Sequence, residues 1–305
     1  MLESIHFEIP GARIHLLVRK GNEGLFKNHP FLDELLVWDK LNHKLRGLLK
    51  LINTVRVNKY DAVINAHRFM SSGLITALSS ARHKVGFDKN PMSLFFTNKV
   101  KHEFNGEHEI ARNHLLLKPI LNSKEPLKPK LYPSAEDEAA IAEYRSELFY
   151  CLFPASQWFT KQWPETRWVE LADQLPANAM IHLMGGISDQ EICEQIRSQS
   201  KRKESIIVLA GKLSLLQSTA LMKYAKMNFT NDSSPTHLAS SINAPVTVIY
   251  CSTVPAFGFG PLSDVSQIIE TDIPLECRPC GLHGHRHCPK NHFNCGASIE
   301  ASEAL

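Results

Sequence analysis

Short apolar runs alternate with stretches of helical period along almost the whole chain. In the first half, ARIHLLV (12–18), ELLVWD (34–39), DAVINA (61–66) and HKVGF (83–87) have the density of aliphatic and β-branched residues expected of strands. Residues 43–58 and 69–79 between them show helical spacing, and residues 2–9 read as the tail of a helix. The second half repeats the scheme. LFYCLFP (148–154), AMIHLMG (179–185), SIIVLAG (205–211), KMNFT (226–230) and APVTVIY (244–250) read as strands, with helices expected over 165–175, 189–200, 213–225 and 235–242. Buried strands alternating with helices predict an α/β fold with parallel, doubly wound sheets. The segment LNSKEPLKPKLYPS (121–134) is rich in proline and lysine and reads as a linker, followed by a helix from 135. The expected division is therefore residues 1–134 and 135–305. The first domain opens on a helix tail where a doubly wound domain would open on a strand.

At 305 residues the chain suits two domains, and 43% hydrophobic with 21% charged residues predicts a packed protein rather than a disordered one. A net charge of +3 is too small for a dedicated nucleic-acid binder and is compatible with an anionic ligand. No apolar run is long enough to span a bilayer, and the acidic N-terminus does not read as a signal peptide. Seven cysteines, an odd number, fit a reduced cytoplasmic setting.

Three strand-to-helix loops in the second half carry candidate chemistry. In NDSSPTHLASS (231–241), Asp232, Ser233 and Ser234 precede Pro235 in a first helical turn, and His237 follows. A helix start there could face a phosphate, or Asp232 and Ser233 could simply cap the helix. In PASQWFTKQWP (154–164), Ser156, Thr160 and Lys161 offer hydroxyl and ammonium donors to phosphate oxygens. The alternative is a solvated loop over packed Trp163 and Trp168. In LMGGISDQE (183–191), Asp189 could accept from a ribose or cap the next helix. Further on, CRPCGLHGHRHCPKNHFNC (277–295) holds Cys277, Cys280, Cys288 and Cys295, a spacing open both to a structural zinc and to reduced thiols.

Taken in order, these segments, with the stretch from LAGKLSLL to APVTVIY (209–250) and FGPLS (259–263), resemble glycosyltransferase family 9, the heptosyltransferase family. IPGARIHLLVRKGNEGLFKNHPFLDELLVWD (9–39) and HEIARNHLLL (108–117) extend the resemblance more weakly into the first half. It implies a GT-B fold: two Rossmann-like domains facing a cleft, with an ADP-heptose donor held by the second. A lipopolysaccharide inner-core sugar would be the acceptor, the transfer would be inverting, and contact with the inner membrane surface would be transient. By match to the motif, Lys161 would stabilise the leaving diphosphate. Ser156, Thr160, Asp232, Ser233, Ser234 and His237 would line the donor site, with Asp189 as a ribose candidate. No catalytic metal is implied.

Two departures stand out. Ser234 occupies the family's usual glycine position. The expected strand and Gly–Asp loop, whose aspartate is the family's general base, would lie upstream of Met1. Glu107, His108 and Glu109 are not assigned that role. Open alternatives are a catalytically impaired nucleotide-sugar-binding relative and another GT-B enzyme, such as a nucleotide-sugar epimerase.

Overall fold

The computed structural model describes residues 1–42, 44–122 and 125–305. They form two compact units, Met1–Leu127 and Lys128–Leu305. The division falls inside the proline- and lysine-rich segment, of which Ser123 and Lys124 lie outside the described residues.

In unit 1 the order is α1 (Leu2–Glu8), β1 (His15–Arg19), β2 (Glu34–Trp38), α2 (Lys44–Val57), β3 (Ala62–Asn65), α3 (Met70–Ala77), β4 (His83–Phe87), β5 (Asn98–Val100) and α4 (Glu109–His114). The helix expected from 43 is α2, His43 being outside the described residues. β1 pairs in parallel with β2, and β3–β4–β5 form a second parallel sheet. Among the described residues no pairing joins β1 to β3. Both pieces lean on the same helices: Leu17 of β1, Leu36 of β2 and Val63 of β3 pack around Trp38, Leu51, Val55 and Ile75.

Unit 2 runs α5 (Ala135–Ala140), β6 (Phe149–Phe153), α6 (Glu165–Gln174), β7 (Met180–Leu183), α7 (Gln190–Gln199), β8 (Ile206–Val208), α8 (Leu215–Met222), β9 (Met227–Asn231), α9 (Ser234–Ser241), β10 (Val246–Tyr250), β11 (Ser266–Glu270) and α10 (Asn294–Ala297). Helix starts follow local capping chemistry. Ser134 Oγ accepts from Asp137 N at 3.2 Å while Asp137 Oδ2 accepts from Ser134 N at 2.9 Å, and Ser214 with Gln217 repeats the arrangement for α8. The six strands are ordered β11–β10–β9–β6–β7–β8, all parallel.

The first strand of unit 2, β6, thus lies mid-sheet between β9 and β7. In unit 1, by contrast, the described strands form two separate parallel sheets, β1–β2 and β3–β4–β5. Burial agrees: every residue of β6 and β10 is buried, whereas β1 is only part-buried and ends exposed at Arg19. β11, which no apolar run announced, is an edge strand exposed over its first three residues.

One hydrophobic core of unit 2 lies between its sheet and α6 and α7. Trp163 and Trp168 are almost fully buried there, edge to face at 5.3 Å, and Trp163 Nε1 donates to Ile299 O at 3.1 Å. Burial with a satisfied indole N–H makes Trp163 a strong anchor for the loop before it.

Candidate functional site

In a doubly wound sheet, ligands bind beyond the strand carboxyl ends where the strand order reverses. In unit 2 that reversal lies between β6 and β9: successive strands step from β6 to β7 and β8 on one side, then from β9 to β10 and β11 on the other. The loop after β6 carries Ser156, Thr160 and Lys161, and the loop after β9 carries Asp232, Ser233 and Ser234. The two loops are cross-linked. Asn231 Oδ1 accepts from Trp163 N at 2.9 Å, and its Nδ2 donates to Pro154 O at 2.8 Å. Asn231 is fully buried, so both bonds form in a low-dielectric setting that strengthens them. This residue was not singled out in the sequence; its position at the head of the NDSS run was the available signal.

Lys161 Nζ lies 2.6 Å from Asp232 Oδ2, with both side chains largely buried. Thr253 Oγ1 donates to the same carboxylate oxygen at 2.6 Å, and Asp232 N donates to Ile249 O at 3.1 Å. Asp232 therefore neither caps α9 nor stands open as a ligand: it is the counter-ion that holds the lysine. Ser233 is the N-cap residue of α9, but its hydroxyl donates to Asn231 O at 3.3 Å, and no side chain caps the helix. The first turn of α9, with its partial positive charge, is left to whatever anion lies beyond it. Ser234, beside Pro235 at the helix start, is exposed, as is His237. Ser156 accepts from Gln162 Nε2 through its carbonyl at 2.6 Å, which closes the β6 loop on itself.

Thr160 is buried, and its role is to join segments. Its hydroxyl accepts from His285 N at 2.8 Å and lies 3.0 Å from Ser252 Oγ; its N–H donates to His285 O at 3.1 Å. Cys280 N donates to Ser252 O at 2.8 Å. The cysteine-rich tail thus folds back on the lysine loop. Gly284 sits at the closest approach with φ +73°, and a Cβ there would stand 2.8 Å from Thr160 Oγ1 and 3.1 Å from Lys161 Cγ. Only glycine meets both demands without strain.

Asp189 lies apart from this constellation, on the loop after β7. Its Oδ2 accepts from Gly186 N at 2.8 Å and its Oδ1 from Ser188 Oγ at 3.1 Å, so its carboxylate is taken up by its own turn. In unit 1, His108 Nδ1 accepts from Ile110 N as the cap of α4, and Glu109 pairs with Arg112 at 2.6 Å.

Cys277, Cys280, Cys288 and Cys295 all line one cavity of about 240 Å³, together with Thr160, His285 and His292. His292 Nε2 lies 3.7 Å from Cys277 Sγ while its Nδ1 accepts from Asn294 N. Among the described residues, no three such side chains are arranged as a ready metal shell. Burial pushes the Cys288 thiol up, but the N–H groups of Phe293, Lys290, His292 and Asn291 around its sulfur outweigh that and bring it below the ordinary value.

Residues 48–287 match the family model of glycosyltransferase family 9 (heptosyltransferase). Lipopolysaccharide heptosyltransferase 1 of Campylobacter coli is 25% identical, over 96% of this chain and 88% of the relative. The structure of E. coli ADP-heptose lps heptosyltransferase II superposes with a TM-score of 0.77 at 20% identity, covering 92% of this chain and 89% of that one. E. coli heptosyltransferase WaaC with ADP gives a TM-score of 0.71 at 20% identity, covering 99% and 91%. These likenesses fix the architecture as GT-B.

Proposed function

This chain belongs to glycosyltransferase family 9, and from that premise we propose that it transfers heptose from ADP-heptose to an inner-core sugar of lipopolysaccharide, with inversion at the anomeric carbon. The observation that carries the proposal is the Lys161–Asp232 pair at the strand-order reversal of unit 2, beside the uncapped start of α9. The donor's diphosphate would lie against the α9 turn and Lys161 Nζ, the lysine turning part of its charge from Asp232 to phosphate. The complexes named for relatives, WaaC with ADP and with ADP-2-deoxy-2-fluoro heptose, support an adenine nucleotide-sugar as donor.

In the reaction an acceptor hydroxyl attacks the anomeric carbon from the face opposite the nucleotide. The bond from that carbon to the phosphate oxygen breaks, the electron pair leaves with ADP, and the acceptor hydroxyl gives up its proton to solvent. Lys161 and the helix start stabilise the charge growing on the departing phosphate; losing one such donor costs on the order of 10²–10³ in rate. That task needs no metal. Asp232 positions the lysine, and Ser233, Ser234 and His237 border the same turn. The acceptor is lipid-anchored, so the enzyme would work in the cytoplasm at the inner membrane face. Among the described residues no helix is long and apolar enough to cross a membrane. Cys277, Cys280, Cys288 and Cys295, which line one cavity, are proposed to hold a structural zinc outside the transfer step.

The decisive assay offers ADP-heptose with and without a heptose-deficient lipopolysaccharide acceptor. Heptosylated acceptor of inverted anomeric configuration is expected. Donor converted without acceptor would indicate an epimerase, and ADP bound with no turnover would indicate a binding relative.

A further inference from the structure

Arg278 lies between Cys277 and Cys280 in the cysteine-rich tail, and its side chain is only 13% exposed. Its Nε donates to Cys251 O at 2.7 Å. Its Nη2 shares its protons among Tyr250 O at 3.1 Å, Thr253 O at 2.8 Å and Glu270 Oε1 at 2.6 Å. Tyr250 and Glu270 are the last residues of β10 and β11 and stand opposite each other in the register, so the pairing of the two strands ends at this point. Residues 251–253 continue beyond it and are buried, and buried carbonyls require donors. The tail supplies them. Arg278 meets the carbonyls of Tyr250, Cys251 and Thr253, and Cys280 N meets Ser252 O at 2.8 Å.

The same short segment also reaches the lysine site. Thr253 Oγ1 donates to Asp232 Oδ2 at 2.6 Å, the oxygen that also holds Lys161 Nζ. Ser252 N donates to Thr160 O at 3.2 Å, and Ser252 Oγ lies 3.0 Å from Thr160 Oγ1, one residue before the lysine. Residues 250–253 are thus held through their carbonyls by the tail, while Ser252 and Thr253 hold Thr160 and Asp232.

We propose that Arg278 is a positioning residue of the donor site: its planar fork fixes residues 250–253, so that Thr253 and Ser252 hold Asp232 and Thr160 and, through them, Lys161. The role rests on the donor site proposed above. To bind a diphosphate, Lys161 must turn from Asp232, and the carboxylate it leaves keeps a hydroxyl donor only while Thr253 stays in place. With Thr253 displaced, Asp232 would draw more heavily on the lysine and hold it back from phosphate. Arginine suits the task because its guanidinium presents several donors in one rigid plane, whereas a lysine here could meet only part of the set. An arginine that did no more than anchor the tail would contribute stability and leave nucleotide affinity untouched.

Isothermal titration of the full chain with ADP and with adenosine is the test. Arg278→Met should weaken ADP binding about tenfold and leave adenosine binding within about twofold of the parent, because only the diphosphate meets Lys161. Arg278→Lys, which keeps the charge without the fork, should still bind ADP about fivefold more weakly than the parent. Thr253→Val keeps the size of the side chain and removes the hydroxyl, and it should reproduce the loss. Combined with Arg278→Met it should weaken ADP binding by no more than about twofold beyond the worse single variant, since both changes act along one path. Should Arg278→Met fail to fold, Arg278→Lys and Thr253→Val carry the same comparison. Parent-like ADP affinity in the folded Arg278 variants, or equal losses for ADP and adenosine, would overturn the proposal and leave Arg278 a structural anchor. Fully additive losses in the double variant would overturn the route through Thr253. Absence of ADP binding by the parent would instead overturn the donor site itself, and the role of Arg278 with it.

Discussion

Replacing Lys161 with methionine keeps the stem and deletes the ammonium. Asp232, its partner at 2.6 Å, would keep only the Thr253 hydroxyl while remaining buried. Removing one side of a fully buried ion pair costs about 3–5 kcal/mol. The small exposure of Lys161 admits some water, so about 2–3 kcal/mol is the better figure here. In a unit of this size that lowers the unfolding midpoint by about 5–10 °C. Asp232→Asn should cost only about 1 kcal/mol, because the lysine can extend to solvent. The double variant Lys161→Met/Asp232→Asn leaves neither charge stranded, so its stability should return to within about 1 kcal/mol of the parent. Nucleotide affinity should behave differently. Isothermal titration with ADP should show a loss of about 100-fold or more in both the single lysine variant and the double variant, since both lack the phosphate donor. Stability restored without affinity would separate the two tasks of Lys161. An unchanged midpoint for Lys161→Met would refute the buried pair, and full ADP affinity in the double variant would refute the phosphate contact.

Gly284→Ala should lower ADP affinity about tenfold by pushing Thr160 and Lys161 out of place, with β6 and β9 intact by circular dichroism; parent-like affinity would show that the tail does not set the loop. His182 is held neutral by burial, with Nε2 donating to Tyr144 O at 2.8 Å, so its pKa in the folded protein lies below the unfolded value of 6.5. Its stabilising contribution is therefore complete above pH 6.5 and is lost as pH falls below that value, because only the unfolded chain then takes up the proton. Denaturant midpoints measured from pH 8 to pH 5 should fall in the parent and less steeply in His182→Leu. In metal-stripped protein, alkylation should reach Cys288 first, while burial holds the thiols of Cys151 and Cys193 up, the latter at about 12, and keeps both unreactive. Added zinc should protect Cys277, Cys280, Cys288 and Cys295 together; unaltered alkylation rates would remove the zinc proposal.

Periodicity made the interior strands legible because a strand buried on both faces must be apolar throughout, as Phe149–Phe153 and Val246–Tyr250 are. It missed β5 and β11, edge strands whose half-exposed residues carry no apolar run. The helix start at Ser134, where a side chain does the capping, was legible in the sequence, whereas α4, capped by His108, was not. At Ser233 the capping residue was visible in the sequence but its hydroxyl bonds elsewhere, because the preceding strand offers a nearer carbonyl. The donor loops could be picked out one by one. Their cross-connections could not, since Lys161 to Asp232 and Thr160 to His285 join residues far apart in the chain through tertiary packing alone. For the same reason the pairing of Asp232 with Lys161, and the hydrogen bonds by which Asp189 braces its own turn, could not be read from the sequence.

The two separate sheets of unit 1 bear on how this protein comes apart. A continuous sheet loses its seams all at once, whereas two narrow ribbons held mainly by shared helices offer less resistance to heat or urea. Calorimetry should resolve two endotherms, the cooler belonging to residues 1–127 and the hotter to the six-stranded unit. If the six-stranded unit holds nucleotide as proposed, added ADP would raise the second peak and leave the first where it stands.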